Sequence, residues 1–398
     1  MTVRAVVFGL SCLGCVALAV NAVTVFWIAI GLVAYAYVGY GALVWILARV
    51  RPRPVATAPI QPAVTVVVVA YNEASRIATR IESLLSVDYP RDQIEIIVAS
   101  DGSTDETVVE ARRFESRVRV VAFPARRGKP AVLNDVIPTA NGEIVVLADA
   151  RQRFDPGAVA ALVQSFADPS VGAVSGELLL LKDGELDVAV AGVALYWDYE
   201  KRIRRAESCV DSTVGATGAI YAIRRTLFEP ISHTTVLDDV VIPMRIARRG
   251  YRLIFEPRAR AFDRLAASAG EEFARKVRTL AGGFQMFARE PWLLDPRQNR
   301  LWLQSLSHKG LRLLLPVVYA AAFLSNLMLL NDGLYRWTMA AQAAVLVAAL
   351  AGYVFPGIRK TIPVVVVPYA ICFLAWATIV GFVRFATGRQ PVTWASHL

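Results

Sequence analysis

Between Ala5 and Ala48 the chain carries no charged residue, and this uncharged run constrains the fold more than any other feature of its 398 residues. A helix crossing the hydrocarbon core of a bilayer needs about 20 apolar residues, because it must satisfy its own backbone hydrogen bonds. The run therefore predicts two spans, near 5–23 and 24–48. Its first part also has the outline of a signal peptide, with Arg4 ahead of it and Val20-Asn21-Ala22 at its end. Arg49, Arg51 and Arg53 mark the side reached afterwards as cytoplasmic. Apolar runs at 311–330, 337–355 and 364–383 predict three more spans. The basic loop at Arg359 and Lys360 belongs inside, the Asn331-Asp332-Gly333 loop and the C-terminus outside.

Hydrophobic residues make up 56% and charged residues only 19%, which excludes a disordered, collagen-like or disulfide-scaffold chain. The net charge of +10 suits nucleic acid, anionic lipid or a phosphorylated substrate. No nucleic-acid recognition motif appears, and phosphate chemistry with basic membrane flanks accounts for the excess, so no nucleic-acid partner is expected. Cys12, Cys15, Cys209 and Cys372 are too scattered for a disulfide framework. Cys12-x-x-Cys15 lies in the uncharged run without a second Cys/His pair, and His233, His308 and His397 are too dispersed for a metal cluster.

The chemistry belongs to the stretch between the membrane blocks. Val64–Ala70, Ile94–Ser100, Val118–Phe123 and Ile144–Ala148 are β-branched apolar runs, and 73–86, 105–116 and 129–139 read as helices. That alternation predicts a parallel α/β sheet, which binds ligands where loops leave the carboxyl ends of its strands. The expected organisation is a membrane region over 1–50, a soluble domain over 51–290, an interfacial amphipathic segment over 291–310 and a second membrane region over 311–398. The interfacial assignment rests on Trp292, Leu293, Leu294, Leu301, Trp302 and Leu303 interleaved with Asp295, Arg297 and Arg300.

Each strand end delivers polar residues to one face. The first ends in Ala70-Tyr71-Asn72-Glu73, the second in Ser100-Asp101-Gly102-Ser103-Thr104-Asp105, the fourth in Ala148-Asp149-Ala150-Arg151. Gly128-Lys129 and Leu237-Asp238-Asp239 follow, then Arg275-Lys276-Val277-Arg278-Thr279. With Leu133-Asn134 and 215–224, this ordered set resembles the membrane-embedded family 2 glycosyltransferases, whose nucleotide-sugar-binding GT-A domain is Rossmann-like and is shared with cellulose, chitin and hyaluronan synthases. The resemblance covers roughly 40–330.

The resemblance implies a cytoplasmic GT-A domain flanked by transmembrane helices in a multi-pass inner-membrane protein of polysaccharide biosynthesis. It implies an inverting hexosyltransferase that moves a sugar from a nucleotide-diphosphate donor, a UDP-sugar by default, to a lipid-linked or glycan acceptor in the bilayer. Asp101 would hydrogen-bond the nucleobase, with Tyr71, Asn72 and Glu73 lining the base and ribose pocket and Lys129 near the phosphates. Asp149 holds the first position of the family's Asp-x-Asp motif, where a carboxylate binds Mg2+ or Mn2+ on the diphosphate. Arg151 takes the second position, so the metal is either held by one carboxylate or partly replaced by a guanidinium. Asp239, beside Asp238, matches the general base that takes the acceptor's proton. Arg278 would stabilise the leaving diphosphate, with Arg275 and Lys276 beside it. Thr279 replaces the tryptophan that lies by the acceptor sugar in processive synthases. Thr217, Gly218 and Ala219 resemble the acceptor loop, where small residues admit the sugar. Tyr196, Trp197 and Tyr199 offer stacking surface for a sugar or a membrane anchor.

Two other readings go with this one. A polyprenyl-phosphate sugar transferase needs no base for its acceptor, which Asp239 argues against. A non-catalytic scaffold of the same fold is the reading that Arg151 and Thr279 favour. Five spans are few for a private conduit, which leaves room for export subunits.

Overall fold

Val64–Ala70 (β1) reads Val-Thr-Val-Val-Val-Val-Ala, an unbroken β-branched run of the kind that forms a strand covered on both faces. In the computed structural model it does so, and every residue but Val69 is buried. The structure describes residues 21–181, 188–264, 268–355, 357–358 and 362–391, without the side chains of 188–197 and Pro363. Nearly all of the expected 5–23 span, Cys12, Cys15, the loop at Arg359 and Lys360, His397 and the side chains of Tyr196 and Trp197 lie outside the described residues.

β1 pairs in parallel with Ile94–Asp101 (β2) on one side and Ile144–Asp149 (β4) on the other, and β2 pairs with Arg119–Phe123 (β3). Arg153–Phe154 (β5), Val171–Leu181 (β6), Ile220–Arg224 (β7) and Arg252–Arg264 (β8) complete the sheet in the order β3-β2-β1-β4-β7-β6-β8-β5. The chain reverses its direction of travel across the sheet between β1 and β4, and a crevice forms at such a switch point beyond the carboxyl ends of the strands. The parallel half agrees with the expected strands.

The flanking helices cover the two faces. Ala74–Leu85 packs Ile77, Ile81 and Leu84 with Val66 and Val68, whereas Lys129–Val136 packs Val132, Leu133 and Val136 with Val67 and Ile97. Successive side chains of β1 point to opposite faces, so one strand anchors both layers.

Among the described residues four helices are long and apolar enough to cross a membrane: Asn21–Val50, Trp302–Leu327, Gly333–Val354 and Val364–Ala386. The first and second each contain a π-helical segment, Tyr35–Gly39 and Ser305–Gly310. Helix Ala269–Arg289 leans on the last of the four through Phe284 and Phe382, whose ring centroids are 5.2 Å apart. The 291–310 stretch packs differently from the expected interfacial segment. Trp292, Leu293 and Leu301 are buried with Met244 and Met286, the Trp292 indole donates to Glu290, and Trp302 already begins a long apolar helix. The buried area available beneath the sheet outweighs a place at the headgroups.

In the site-forming loops, Gly102 sits at φ +65°, and a Cβ there would lie 2.3 Å from the Arg126 nitrogen and 2.4 Å from the Ala125 carbonyl carbon. Gly102→Ala is therefore expected to destabilise the domain by about 2 kcal/mol or more through backbone strain and overlap. Thermal unfolding of the full chain in detergent checks this, and an unchanged midpoint would show that the 125–128 loop yields without cost.

Candidate active site

The loops after β1 and β2 are stitched together before any ligand arrives. Asn72 adopts φ +52°, a conformation that Asn tolerates, and its side chain accepts from the Thr104 N–H at 2.9 Å. Its own N–H donates to Ser103 Oγ at 3.1 Å, and the Glu73 N–H donates to Thr107 Oγ1 at 2.8 Å. Asp101 accepts from the backbone N–H groups of Arg127 at 2.7 Å and Gly128 at 2.8 Å. Charge-assisted bonds of this kind fix the loop that carries Lys129. The Arg126 guanidinium lies 3.6 Å above the centre of the Tyr71 ring. Tyr71, Asn72, Glu73 and Asp101 thus form one ordered rim at the switch point.

Beside that rim is a cavity of about 370 Å³, within the range usual for small-molecule sites. Its wall brings together Lys129, Asp149, Arg151, Thr217, Gly218, Ala219, Asp238, Asp239, Arg275, Lys276, Arg278 and Thr279. The rim residues Tyr71, Asn72, Glu73 and Asp101 do not line it.

Lys129 is the electrostatic centre of this wall. Its ammonium is 2.9 Å from Asp149 Oδ1 and 3.2 Å from Asp238 Oδ2. Burial disfavours the charged form, but Asp149, Asp238 and Asp239 outweigh burial and raise its pKa. Asp238 and Asp239 open helix Asp238–Arg248, where an N-terminus favours anions. Burial and the neighbouring Asp238 nevertheless push Asp239 up to about 6, against the lowering effect of Lys129. Its Oδ2 accepts the Gly218 N–H at 3.0 Å, and a Cβ at Gly218 would lie 3.0 Å from the same oxygen. Only glycine lets the 217–219 loop approach the carboxylate this closely without displacing it.

Arg275 and Lys276 pair with Glu271 at 2.9 Å and Glu272 at 3.5 Å on their own helix, and Arg278 donates to the Pro391 carbonyl at 2.8 Å. Tyr199 donates to the Tyr37 carbonyl at 2.7 Å, tying its helix to the first apolar helix.

Among the described residues no three His, Cys, Asp or Glu side chains converge to close a metal site. Asp149 presents one hard carboxylate to the cavity, an open arrangement that fits a divalent ion whose other ligands are phosphate oxygens and water. The sequence reading missed Arg204, Glu200, His308, Lys309 and Arg312, which line the same cavity. The signal available was charge at the head of an apolar run, which marks function more often than packing.

Residues 65–231 match the family model described as "Glycosyl transferase family 2". Poly-beta-1,6-N-acetyl-D-glucosamine synthase from Staphylococcus epidermidis is 24% identical over 228 residues, which cover 56% of this chain and 55% of that protein. The corresponding synthase of Staphylococcus aureus (strain COL) is 23% identical over 233 residues, 57% and 56% of the two chains. The chain thus spans about half the length of the curated relatives it matches. Among solved structures, the mannosyltransferase PcManGT from Pyrobaculum calidifontis, in complex with GDP-Man and Mn2+, superposes with a TM-score of 0.69. It shares 26% identity over 92% of this chain and 99% of that one. Residues 65–231 thus carry a family 2 glycosyltransferase domain, built on a sheet of the GT-A fold.

Lys129→Met removes the cation that lowers Asp239, so the Asp239 carboxyl is expected to titrate above about 6. The acid limb of the pH profile for donor turnover should move to higher pH. An acid limb in the wild-type position would show that Lys129 and Asp239 are not coupled.

Proposed function

We propose that the protein is an inverting transferase, carrying a sugar from a UDP-sugar to a hydroxyl of a lipid-linked or polysaccharide acceptor in the synthesis of a cell-surface polysaccharide. The observation that carries this reading is Asp239. It is a half-buried carboxylate with a pKa raised to about 6, held by the Gly218 N–H at the wall of a cavity that also holds Lys129 and Arg278. A base with its pKa near the working pH combines useful basicity with the ionised form.

The chemistry assigned to these residues is a single displacement. Asp239 takes the acceptor's proton as its oxygen bonds to the anomeric carbon, and the bond from that carbon to the diphosphate breaks with its electron pair leaving on the nucleotide. Lys129 and Arg278 face the negative charge that gathers there, a contribution of a few kcal/mol for a well-placed donor. Asp149 is the residue assigned to hold a divalent ion, which when bound supplies positive charge to the diphosphate. The ordered rim of Tyr71, Asn72, Glu73 and Asp101 is assigned to the nucleoside. Thr217, Gly218 and Ala219 are assigned to the acceptor, and Arg151, Arg275 and Lys276 to the diphosphate. Arg49, Arg51 and Arg53, after the first apolar helix, support a cytoplasmic catalytic domain in a multi-pass inner-membrane protein.

Asp239→Asn is expected to lower transfer by roughly 10²–10⁴-fold, the usual worth of a positioned base. Folding should not suffer. A carboxyl whose pKa is raised on folding destabilises the native state above its unfolded pKa, so the amide should melt no lower than wild type at neutral pH. Nucleotide release from UDP-sugars and GDP-mannose, measured on the purified full chain with a membrane extract as acceptor, checks the loss of transfer, and thermal unfolding in detergent checks the melting point. Wild-type turnover by Asp239→Asn would remove this residue from the mechanism.

Chelation should abolish the same turnover, with Mn2+ restoring it. Full activity in excess chelator would leave Lys129, Arg151 and Arg278 as the counter-charges of the diphosphate.

A further inference from the structure

Helix Ala269–Arg289 has both of its ends in the soluble domain. It follows β8 of the sheet, and near its other end Met286 is buried with Met244, Trp292 and Leu293. Along its length it carries Glu271, Glu272, Arg275, Lys276, Arg278 and Arg289, charges that a bilayer core admits only at high cost. This helix therefore runs along the domain and does not cross a membrane.

The last apolar helix, Val364–Ala386, is laid beside it in the same direction. Phe273 meets Phe373 with ring centroids 5.5 Å apart, and Phe284 meets Phe382 and Phe385 at 5.2 and 6.2 Å. A helix rises about 16 Å from Phe273 to Phe284, so the two lie lengthwise rather than crossing at a point. A Cβ at Gly381 would lie 3.1 Å from the Ala281 nitrogen, which shows how closely the backbones approach. Leu374, midway along the apolar helix, lines the same cavity as Asp239 and Arg278. In a helix that crossed the bilayer, the midpoint would lie about 15 Å below the headgroups, out of reach of a soluble domain. The chain then turns back. Gly388 takes φ +65°, the Arg389 N–H donates to the Arg384 carbonyl at 2.9 Å, and Arg278 holds the Pro391 carbonyl at 2.8 Å. Arg384 and Arg389 are exposed at this end, and arginines flanking an apolar helix favour the inner side with its anionic headgroups.

We propose that Val364–Ala386 lies in the membrane surface instead of crossing it, which keeps the residues after Ala386 on the side of the catalytic domain, opposite to the side that counting apolar runs predicts. Its partner is the lipid of that surface. Val364, Trp376, Ile379 and Val383 are exposed on one side of the helix, whereas Phe373, Ala377 and Gly381 on the other side face Ala269–Arg289 or are buried. Acyl chains cover the first side, as they cover the apolar face of an interfacial helix, and Ala269–Arg289 covers the second. The cavity wall is thereby set at the level of the headgroups, where a lipid-linked acceptor reaches Asp239 without leaving the bilayer. That consequence rests on the transferase reading; the placement of the helix does not.

Single reporter cysteines in the full chain, expressed in a bacterium with the other cysteines changed to alanine, test the placement. A membrane-impermeant maleimide is applied to intact cells and to inverted membrane vesicles. Cys209, exposed on the catalytic domain, reports one side, and Asn331→Cys, in the turn between two apolar helices, reports the other. Arg389→Cys is expected to label with Cys209, and labelling with Asn331→Cys alone would overturn the proposal. A spin label on Trp376→Cys in liposomes measures depth. It should sit about 5–10 Å below the headgroup boundary. A depth of about 15 Å, the bilayer centre, would overturn the interfacial placement even with Arg389→Cys on the catalytic side. If Arg389→Cys does not fold, or if Asn331→Cys labels with Cys209, the depth of the Trp376→Cys label decides. No donor or acceptor enters these measurements, so their failure leaves the Asp239 mechanism standing, and full turnover by Asp239→Asn would leave the helix where it is.

Discussion

The ammonium of Lys129 joins parts of the chain that have no other reason to meet. It stands at the start of one helix, a place the helix dipole makes unfavourable for a cation. Asp149 from the end of β4 and Asp238 from the start of another helix reverse that preference at 2.9 and 3.2 Å. Removing one partner from a buried ion pair typically costs 3–5 kcal/mol because the other is left uncompensated. Three elements are therefore held at a common point, and the cavity exists because they converge there. The same ammonium opposes the rise that burial and Asp238 impose on the pKa of Asp239.

The rim and the cavity divide the work physically. In the rim, Asn72, Ser103, Thr104, Thr107 and Asp101 satisfy one another's backbone groups, which fixes loops that would otherwise lose entropy on binding a ligand. In the cavity wall the polar groups are charged and belong to different elements. Under the proposed assignment, Arg151 adds positive charge to the wall that Asp149 also lines, which makes the diphosphate less dependent on a metal than a paired-carboxylate site would. Arg278 is held against the Pro391 carbonyl, which links this wall to the chain that follows the last apolar helix.

The parallel half of the sheet was legible because β-branched runs and turn residues alternate at short range, and Asp101-Gly102 and Gly128-Lys129 announce their loops by composition. Long apolar helices were legible from uncharged length, and 24–48 lies within one of them, Asn21–Val50. Trp292 misled because an aromatic ring near arginines fits a headgroup and a domain core equally well, and only the available buried area separates them. The Glu200, His308 and Lys309 group was invisible because its members lie 108 residues apart and meet only after the helices pack. Charges at the head of an apolar run were the one local sign of it.

The two π-helical segments explain how an apolar helix comes to present so much charge to one side. A π turn inserts a residue relative to the α-helical repeat, so neighbours that would diverge around the helix are brought nearer one face. In Ser305–Gly310 this lets His308 and Lys309 reach the same carboxylate, with Arg312 following on its other oxygen. The irregularity must be satisfied where water is scarce. Tyr35 supplies one bond, its hydroxyl 2.9 Å from Ser307 Oγ, and Tyr199 supplies another by donating to the Tyr37 carbonyl within the Tyr35–Gly39 segment. The tyrosines thus brace two distorted helices against the helix that carries Glu200 and Arg204. Arg204, bonded to the Thr217 hydroxyl, joins these helices to the loop whose Gly218 N–H holds Asp239.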